Sequence, residues 1–104
     1  MSNVEYQLGE RVFEWDSDKA KRNKIKHGIG FKLAARVFED EERIARRDYG
    51  HSQDEERWQV IGKVENVLFV VYTERGEKTR LISAREATPK EKEWYYGDGN
   101  LYFA

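Results

Sequence analysis

The chain has no cysteine, one proline and two histidines in 104 residues. The missing cysteine excludes disulfides, thiolate metal sites and thiol nucleophiles, and two histidines are too few for a histidine-rich metal cage. No resident metal or cofactor is therefore expected. No run approaches the roughly 18 apolar residues of a membrane helix, and the opening Met1-Ser2-Asn3-Val4-Glu5-Tyr6 lacks the basic-then-apolar order of a secretory signal. The expectation is a cytoplasmic chain without membrane contact. An excess of one charge is missing too: 19 Lys and Arg stand against 20 Asp and Glu, for a net charge of -1. That balance argues against a histone-like polyanion binder, though one basic face can still engage a polyanion locally.

What the chain does have is charge in bulk, at 38%, and aromatics at 13%. The aromatics are enough for a small core, where an equally charged chain without them would read as disordered. The length supports a single domain over residues 1–104. Charge order is uneven: Lys19, Lys21, Arg22, Lys24 and Lys26 fall together without an acid, and Glu39, Asp40, Glu41 and Glu42 form an unbroken acidic run.

Residues 1–12 show no clear period and read as a leader or a weak extra strand. Phe13-Glu14-Trp15-Asp16 alternates apolar and acidic residues, as a short strand buried on one face does. A basic helix follows, capped by Asp16 or Ser17 and stopped by Gly28, with Ala20 and Ile25 as its thin apolar face. Phe31, Leu33 or Ala34, Ala35 and Phe38 are spaced for a second short helix. Residues 43–48 suggest a strand and 49–55 a loop. Residues 57–64, 67–73 and 78–84 are rich in β-formers and joined by short connectors, which predicts antiparallel hairpins with 67–71, apolar throughout, at the centre. Thr88-Pro89-Lys90-Glu91 is a capping box that opens a C-terminal helix to about Tyr96, leaving 97–104 as a tail. The fold class is α+β: a short N-terminal strand and two helices packed on an antiparallel β-sheet, with a C-terminal helix.

Polar residues on otherwise apolar strands carry the functional signal. Arg57 opens one strand and shares its parity with Glu55 and Gln59, while Arg80 and Arg85 lie in or close another. Together the three arginines can form a shared cationic floor. Each also has an ordinary reading: a strand-end arginine is commonly a solvated charge, Glu55-Glu56-Arg57 a local ion pair, His27 a cation capping the C-terminal end of its helix, and the three tryptophans packing anchors.

In order and spacing, several motifs resemble the BrnT family of type II toxins. They are Phe13-Glu14-Trp15-Asp16; Lys19, Asn23 and Lys26-His27-Gly28; Phe31, Val37-Phe38 and Asp40; Glu56-Arg57-Trp58 and Ile61-Gly62; Val70-Val71-Tyr72-Thr73 and Arg75-Gly76; Arg80-Leu81-Ile82-Ser83-Ala84-Arg85; and Ala87, Glu91 and Tyr95. The resemblance spans residues 13–95. Gly30 departs from it, standing where a small hydroxyl residue is expected. It implies a RelE-like fold and a ribonuclease that inhibits translation and growth. It also implies neutralisation by a BrnA-type antitoxin, whose ribbon-helix-helix part, and not the toxin, contacts promoter DNA. RNA cleavage without a metal, by attack of the ribose 2'-hydroxyl on the adjacent phosphate, needs a base, cations for the phosphoryl oxygens and an acid for the leaving 5'-oxygen. Arg57, Arg80 and Arg85 are the candidate clamp, with Lys26 as a further charge. His27, Glu55 and Glu56 are the candidate acid-base groups, strand parity favouring Glu55. The partners implied are the antitoxin, RNA and, as an open option, a second copy of the chain. The competing class is a non-catalytic module that only binds a DNA-binding antitoxin; it expects acidic antitoxin segments over the face spanning Lys19 and Lys26.

Overall fold

A computed structural model describes residues 2–51 and 55–97. Residues 3–8 are a strand and not a leader. Asn3-Val4-Glu5-Tyr6-Gln7-Leu8 alternates polar and apolar types strictly, and as β1 (Asn3–Leu8) it turns Val4, Tyr6 and Leu8 towards the core. A turn at Gly9, with φ of 63°, leads into the antiparallel partner β2 (Arg11–Asp16).

Helix α1 (Ser17–His27) begins and ends where local chemistry requires. The Asp16 carboxylate accepts the Lys19 amide at 3.0 Å, and Gly28, left-handed at φ 75°, donates its N–H to Lys24 O at 2.8 Å. Its inward face differs from the expectation: Ile25 is 86% exposed and the buried residue is Asn23. Helix α2 (Phe31–Ala35) is short, and the predicted continuation to Phe38 tightens into a 3-10 turn (Arg36–Glu39). There fully buried Val37 presses on Gly62, where a Cβ would come within 2.9 Å of Val37 Cβ and 3.0 Å of Val37 O. Only glycine allows that approach without a shift.

The remaining elements are β3 (Ile44–Arg47), a 3-10 turn (Tyr49–His51) in the predicted loop, β4 (Trp58–Lys63), β5 (Val67–Arg75), β6 (Lys78–Glu86) and α3 (Pro89–Tyr96). The tail beyond residue 97 and the loop residues 52–54 lie outside the described residues. Strand order is β1-β2-β6-β5-β4-β3. Every pairing is antiparallel except β2 with β6, which run parallel for the three residue pairs from Val12↔Lys78 to Glu14↔Arg80. The α+β class therefore holds, with a mixed sheet built by inserting the N-terminal hairpin beside β6.

Past Glu14, β2 leaves β6 and exposes its edge. Asn23 takes the place of a strand there: its Oδ1 accepts the Ala84 N–H at 3.1 Å and its Nδ2 donates to Ala84 O at 2.9 Å and to Ile29 O at 3.0 Å. Buried backbone groups without a partner cost about 1–3 kcal/mol each, so this amide is what seats α1 on the sheet.

Helices α1 and α2 cover one sheet face. Phe13, Trp15, Val60, Leu68, Val70, Tyr72, Leu81 and Ala84 pack there with Phe31, Ala34 and Val37. Edge-on aromatic contacts join the layers, Trp15 to Phe31 at 5.8 Å and Phe38 to Phe13 and Tyr72 at 5.2 and 5.0 Å. On the other face α3 covers one end only, setting Trp94 and Tyr95 over Ile61, Val67, Phe69 and Ala87.

Candidate nucleic-acid site on the arginine face

Residues directly opposite one another in a sheet share a face, so the strand register lays out the side not covered by α1 and α2. One row runs Glu14, Arg80, Thr73; the next Ser83, Val71, Gln59, Arg46; the third Arg85, Phe69, Ile61, Ile44. Extending the β4–β5 register by one residue puts Arg57 across from Thr73, in the row of Arg80.

Simple alternation along β6 would put Arg80 and Arg85 on opposite faces, since they are five residues apart. A bulge removes the conflict. Tyr72 is opposite Leu81 and Val71 opposite Ser83, so Ile82 is the extra residue and everything beyond it changes face. Arg80 and Arg85 share a face only through this irregularity.

Each of these two arginines is paired with a carboxylate. The Arg80 Nη1 donates to Glu14 Oε2 at 3.1 Å and to Asn3 Oδ1 at 2.7 Å, with Glu14 itself bonded by Asn3. The side chains of Arg80 and Glu14 are 21% and 10% exposed. Arg85 makes a two-pronged pair with Glu91, at 2.8 and 3.0 Å, and its guanidinium lies 4.1 Å from the centre of the Phe69 ring. Burial raises the Glu91 pKa, but the bond from Arg85, the Thr88 amide and the Arg85 charge outweigh it, holding the carboxyl below its ordinary value. Glu91 thus has two tasks. It closes the capping box with Thr88 at 2.9 and 3.2 Å, and it fixes a guanidinium.

About 14 Å of strand separates the Arg85 row from the Arg80 row, taking ~3.4 Å per residue over the four steps of β5. Their guanidiniums are turned to different carboxylates, so one phosphate cannot bridge both in this arrangement. Arg57 and Arg80 sit closer, two strands apart across Thr73, whose hydroxyl donates to Glu56 O at 2.6 Å.

The acid-base candidates fall in three places. Glu55 bonds Arg75, at 3.3 Å to both Nε and Nη2, and Arg75 shares the β5 parity of Thr73, so Glu55 joins the arginine face. Glu56 pairs with Arg47 at 3.4 Å, a residue of the opposite parity. His27 lies one turn beyond Asn23 on the α1 stripe that meets the β6 edge at Ala84, the residue before Arg85; Lys26 is exposed beside it. Among the described residues, no hydrogen bond or ion pair joins either of them to Arg80 or Arg85.

Three contributors to the face were not foreseen. Arg46 donates to Gln59 Oε1 at 2.9 Å and lies over the Trp94 ring at 5.4 Å. Asn3 and Glu14 hold Arg80. Alternation in residues 3–8 was the available signal for Asn3, and the strand expected at 43–48 was the one for Arg46. Nothing local marks Glu14 or Glu91 as an arginine holder. At the far end, Asp40 of the acidic run accepts the amides of Lys63 at 2.7 Å and Glu42 at 2.9 Å and the hydroxyl of Tyr95. Burial raises its pKa, yet these bonds and the Arg43 charge outweigh that, and the carboxyl is held low; the same contact and burial push the Tyr95 hydroxyl well above its ordinary value. This latch fastens α3, and with it Glu91, to the sheet.

Among the described residues, no group of three His, Asp or Glu side chains is arranged to hold a metal, and no helix is long and apolar enough to cross a membrane.

Comparison with known proteins adds three findings. No curated protein matches the chain. Among solved structures it is similar to the 1.1 Å crystal structure of the Brucella abortus ribonuclease toxin BrnT, at 26% identity and a TM-score of 0.54, over 71% of this chain and 92% of that one. Residues 15–91 match the family model described as the ribonuclease toxin BrnT of type II toxin-antitoxin systems. The matched span contains β3 to β6, the bulge and all three candidate arginines, and it leaves Asn3 and Glu14 outside. The chain belongs to the BrnT family of ribonuclease toxins of type II toxin-antitoxin systems.

Proposed function

We propose that the chain is an endoribonuclease that cuts RNA without a metal, and that a BrnA-type ribbon-helix-helix antitoxin neutralises it. One observation carries the reading. Arg80 and Arg85 share a sheet face, each oriented by a largely buried carboxylate, and their side chains are 21% and 34% exposed. A guanidinium fixed before substrate arrives loses little on binding a phosphate, and donors oriented in advance give the largest electrostatic benefit in a transition state.

In the proposed reaction RNA lies across the rows between Arg85 and Arg80. Arg57 and Arg80, in one row, hold the scissile phosphate, and Arg85 holds a neighbouring one. The ribose 2'-oxygen attacks phosphorus as its proton passes to a base. The bond to the 5'-oxygen breaks as that oxygen gains a proton, leaving a cyclic phosphate and a 5'-hydroxyl. Glu55, on the same face, is the first candidate base and His27 the second, with Lys26 supplying charge at the α1 end. Cleavage of cellular RNA in the cytoplasm would stop translation and growth.

The second reading, a module that binds protein only, draws on the same pairs, because a guanidinium already neutralised by a carboxylate attracts phosphate less. An RNA cleavage assay with excess chelator separates the two. Cleavage by the wild type, with cyclic phosphate ends and a large loss in Arg80→Ala, supports the nuclease reading. Cleavage that needs added metal overturns the mechanism, and intact RNA with and without ribosomes favours the binding module.

A further inference from the structure

On the layer opposite the arginines, α1 and α2 border a wide-open cleft of about 510 Å³ lined by Trp15, Ala20, Ile25 and Phe31, with Lys21, Lys24 and Lys32 at its rim. Its lining is mainly apolar although it lies on the most basic segment of the chain. Ile25 is 86% exposed on a helix whose other outward residues are almost all charged. Among the described residues, no cation of α1 has a carboxylate partner. Lys24 reaches only the Gly28 carbonyl at 3.2 Å, and Lys32 lies over the Tyr6 ring at 5.4 Å. The floor of the cleft, Trp15 and Phe31, is 5% and 3% exposed, so Ile25 is its exposed apolar side chain; one such side chain beside an apolar notch, ringed by cations, is what a complementary protein surface recognises.

We propose that this cleft docks the antitoxin, through an amphipathic segment that seats one or two large apolar side chains on Ile25, Trp15 and Phe31 and presents acidic residues to Lys21, Lys24 and Lys32. The proposal rests on the toxin-antitoxin reading and deepens it. Two other occupants fit the chemistry less well. RNA would find the cations, but its phosphates gain nothing from an apolar floor. A second copy docking through the same cleft would bring two lysine rims together, and like charges across an interface disfavour it. The position also bears on inhibition. The cleft leaves the arginine face uncovered, yet α1 joins β6 through Asn23 at the residue before Arg85, so the docked segment bears on the helix that braces the edge of the site.

The test is calorimetric titration of the full chain with its purified cognate antitoxin, for wild type, Ile25→Asp and Lys21→Glu, beside RNA cleavage by each free protein. Ile25→Asp should raise Kd about tenfold or more and Lys21→Glu by a smaller factor, as expected for an anchor and a rim charge. Both should keep the wild-type melting temperature and cleavage rate. Two variants that bind within about twofold of wild type overturn the proposal. So does a wild-type dimer in sedimentation that Ile25→Asp dissolves, which gives the cleft to a second copy. A wild type that binds no antitoxin overturns the partner reading and this proposal together. A wild type that binds antitoxin but cuts no RNA counts against the nuclease reading alone.

Discussion

The two faces of the sheet use the same strands for opposite purposes. Under α1 and α2 the side chains are apolar, and Phe13, Val37, Val60 and Val70 are at most 1% exposed. Across the sheet Arg46, Arg57, Arg80 and Arg85 stand out on the same strands or at their ends, and Arg80 and Arg85 rest on Glu14 and Glu91. The first face obtains stability from burial that any similar set of hydrophobes supplies. The second gives up some of that burial to hold cations in fixed positions. If the two roles are separate, substitutions on one face lower stability and on the other lower activity.

The largest effect expected is Phe13→Ala, which removes a fully buried ring from contact with Phe38. It should cost about 3–5 kcal/mol in chemical denaturation, the range for deleting a core aromatic. A loss under about 1 kcal/mol would mean that the helical layer is not the core. Next comes Arg80→Lys, which keeps a charge over Glu14 and so preserves folding but loses the guanidinium fork. RNA cleavage should fall about 10²-fold, as on removal of one oriented donor, with the denaturation midpoint near wild type. An unchanged rate would make the arginine face structural, erasing the contrast.

Asn23→Ala comes third and touches the seam between the faces. It orphans Ala84 N and O and Ile29 O, and at the low end of about 1 kcal/mol for each group the expected loss is roughly 3 kcal/mol, read by denaturation and by faster amide exchange at Ala84. If exchange at Ala84 does not change, another group braces that edge.

The smallest effect is on pH. Folding lowers the pKa values of Asp40 and Glu91, so the stability they contribute is complete above their unfolded values, 3.8 and 4.5, and is lost as pH falls through the folded ones. Tyr95 has the opposite sign: its pKa is raised, so its contribution is complete below its ordinary value of 10.0 and lost at more alkaline pH. Thermal melts of Tyr95→Phe should show less acid sensitivity below about pH 4 and less alkaline sensitivity above 10 than the wild type. Parallel profiles would remove the latch between Asp40 and α3.

Much of the fold was legible because its signals are local. The boundaries of α1 follow from Asp16 and Gly28, α3 from the capping box of Thr88 and Glu91, and β4 to β6 from β-branched runs with short connectors. The second helix was legible in place but not in extent: its last residues form a 3-10 turn, where Val37 approaches Gly62 across 25 residues of chain. Ile25 was misread because helical spacing shows which residues share a face but not which face meets the sheet. For the site, Arg57, Arg80 and Arg85 could be named from residue type and strand position, but the holders of Arg80 and Arg85 lie far away in the chain or in roles already filled, as with Glu91 in its capping box.

By itself, then, the sequence determined the elements, the basic helix and the identity of the candidate arginines, because caps, turns and alternation act over a few residues. Only the tertiary structure decided the parallel junction of β2 with β6, the use of Asn23 as a substitute strand and the bulge at Ile82 that puts Arg80 and Arg85 on one face. Each depends on which distant backbone groups must find partners once the strands are packed, and no local pattern records that.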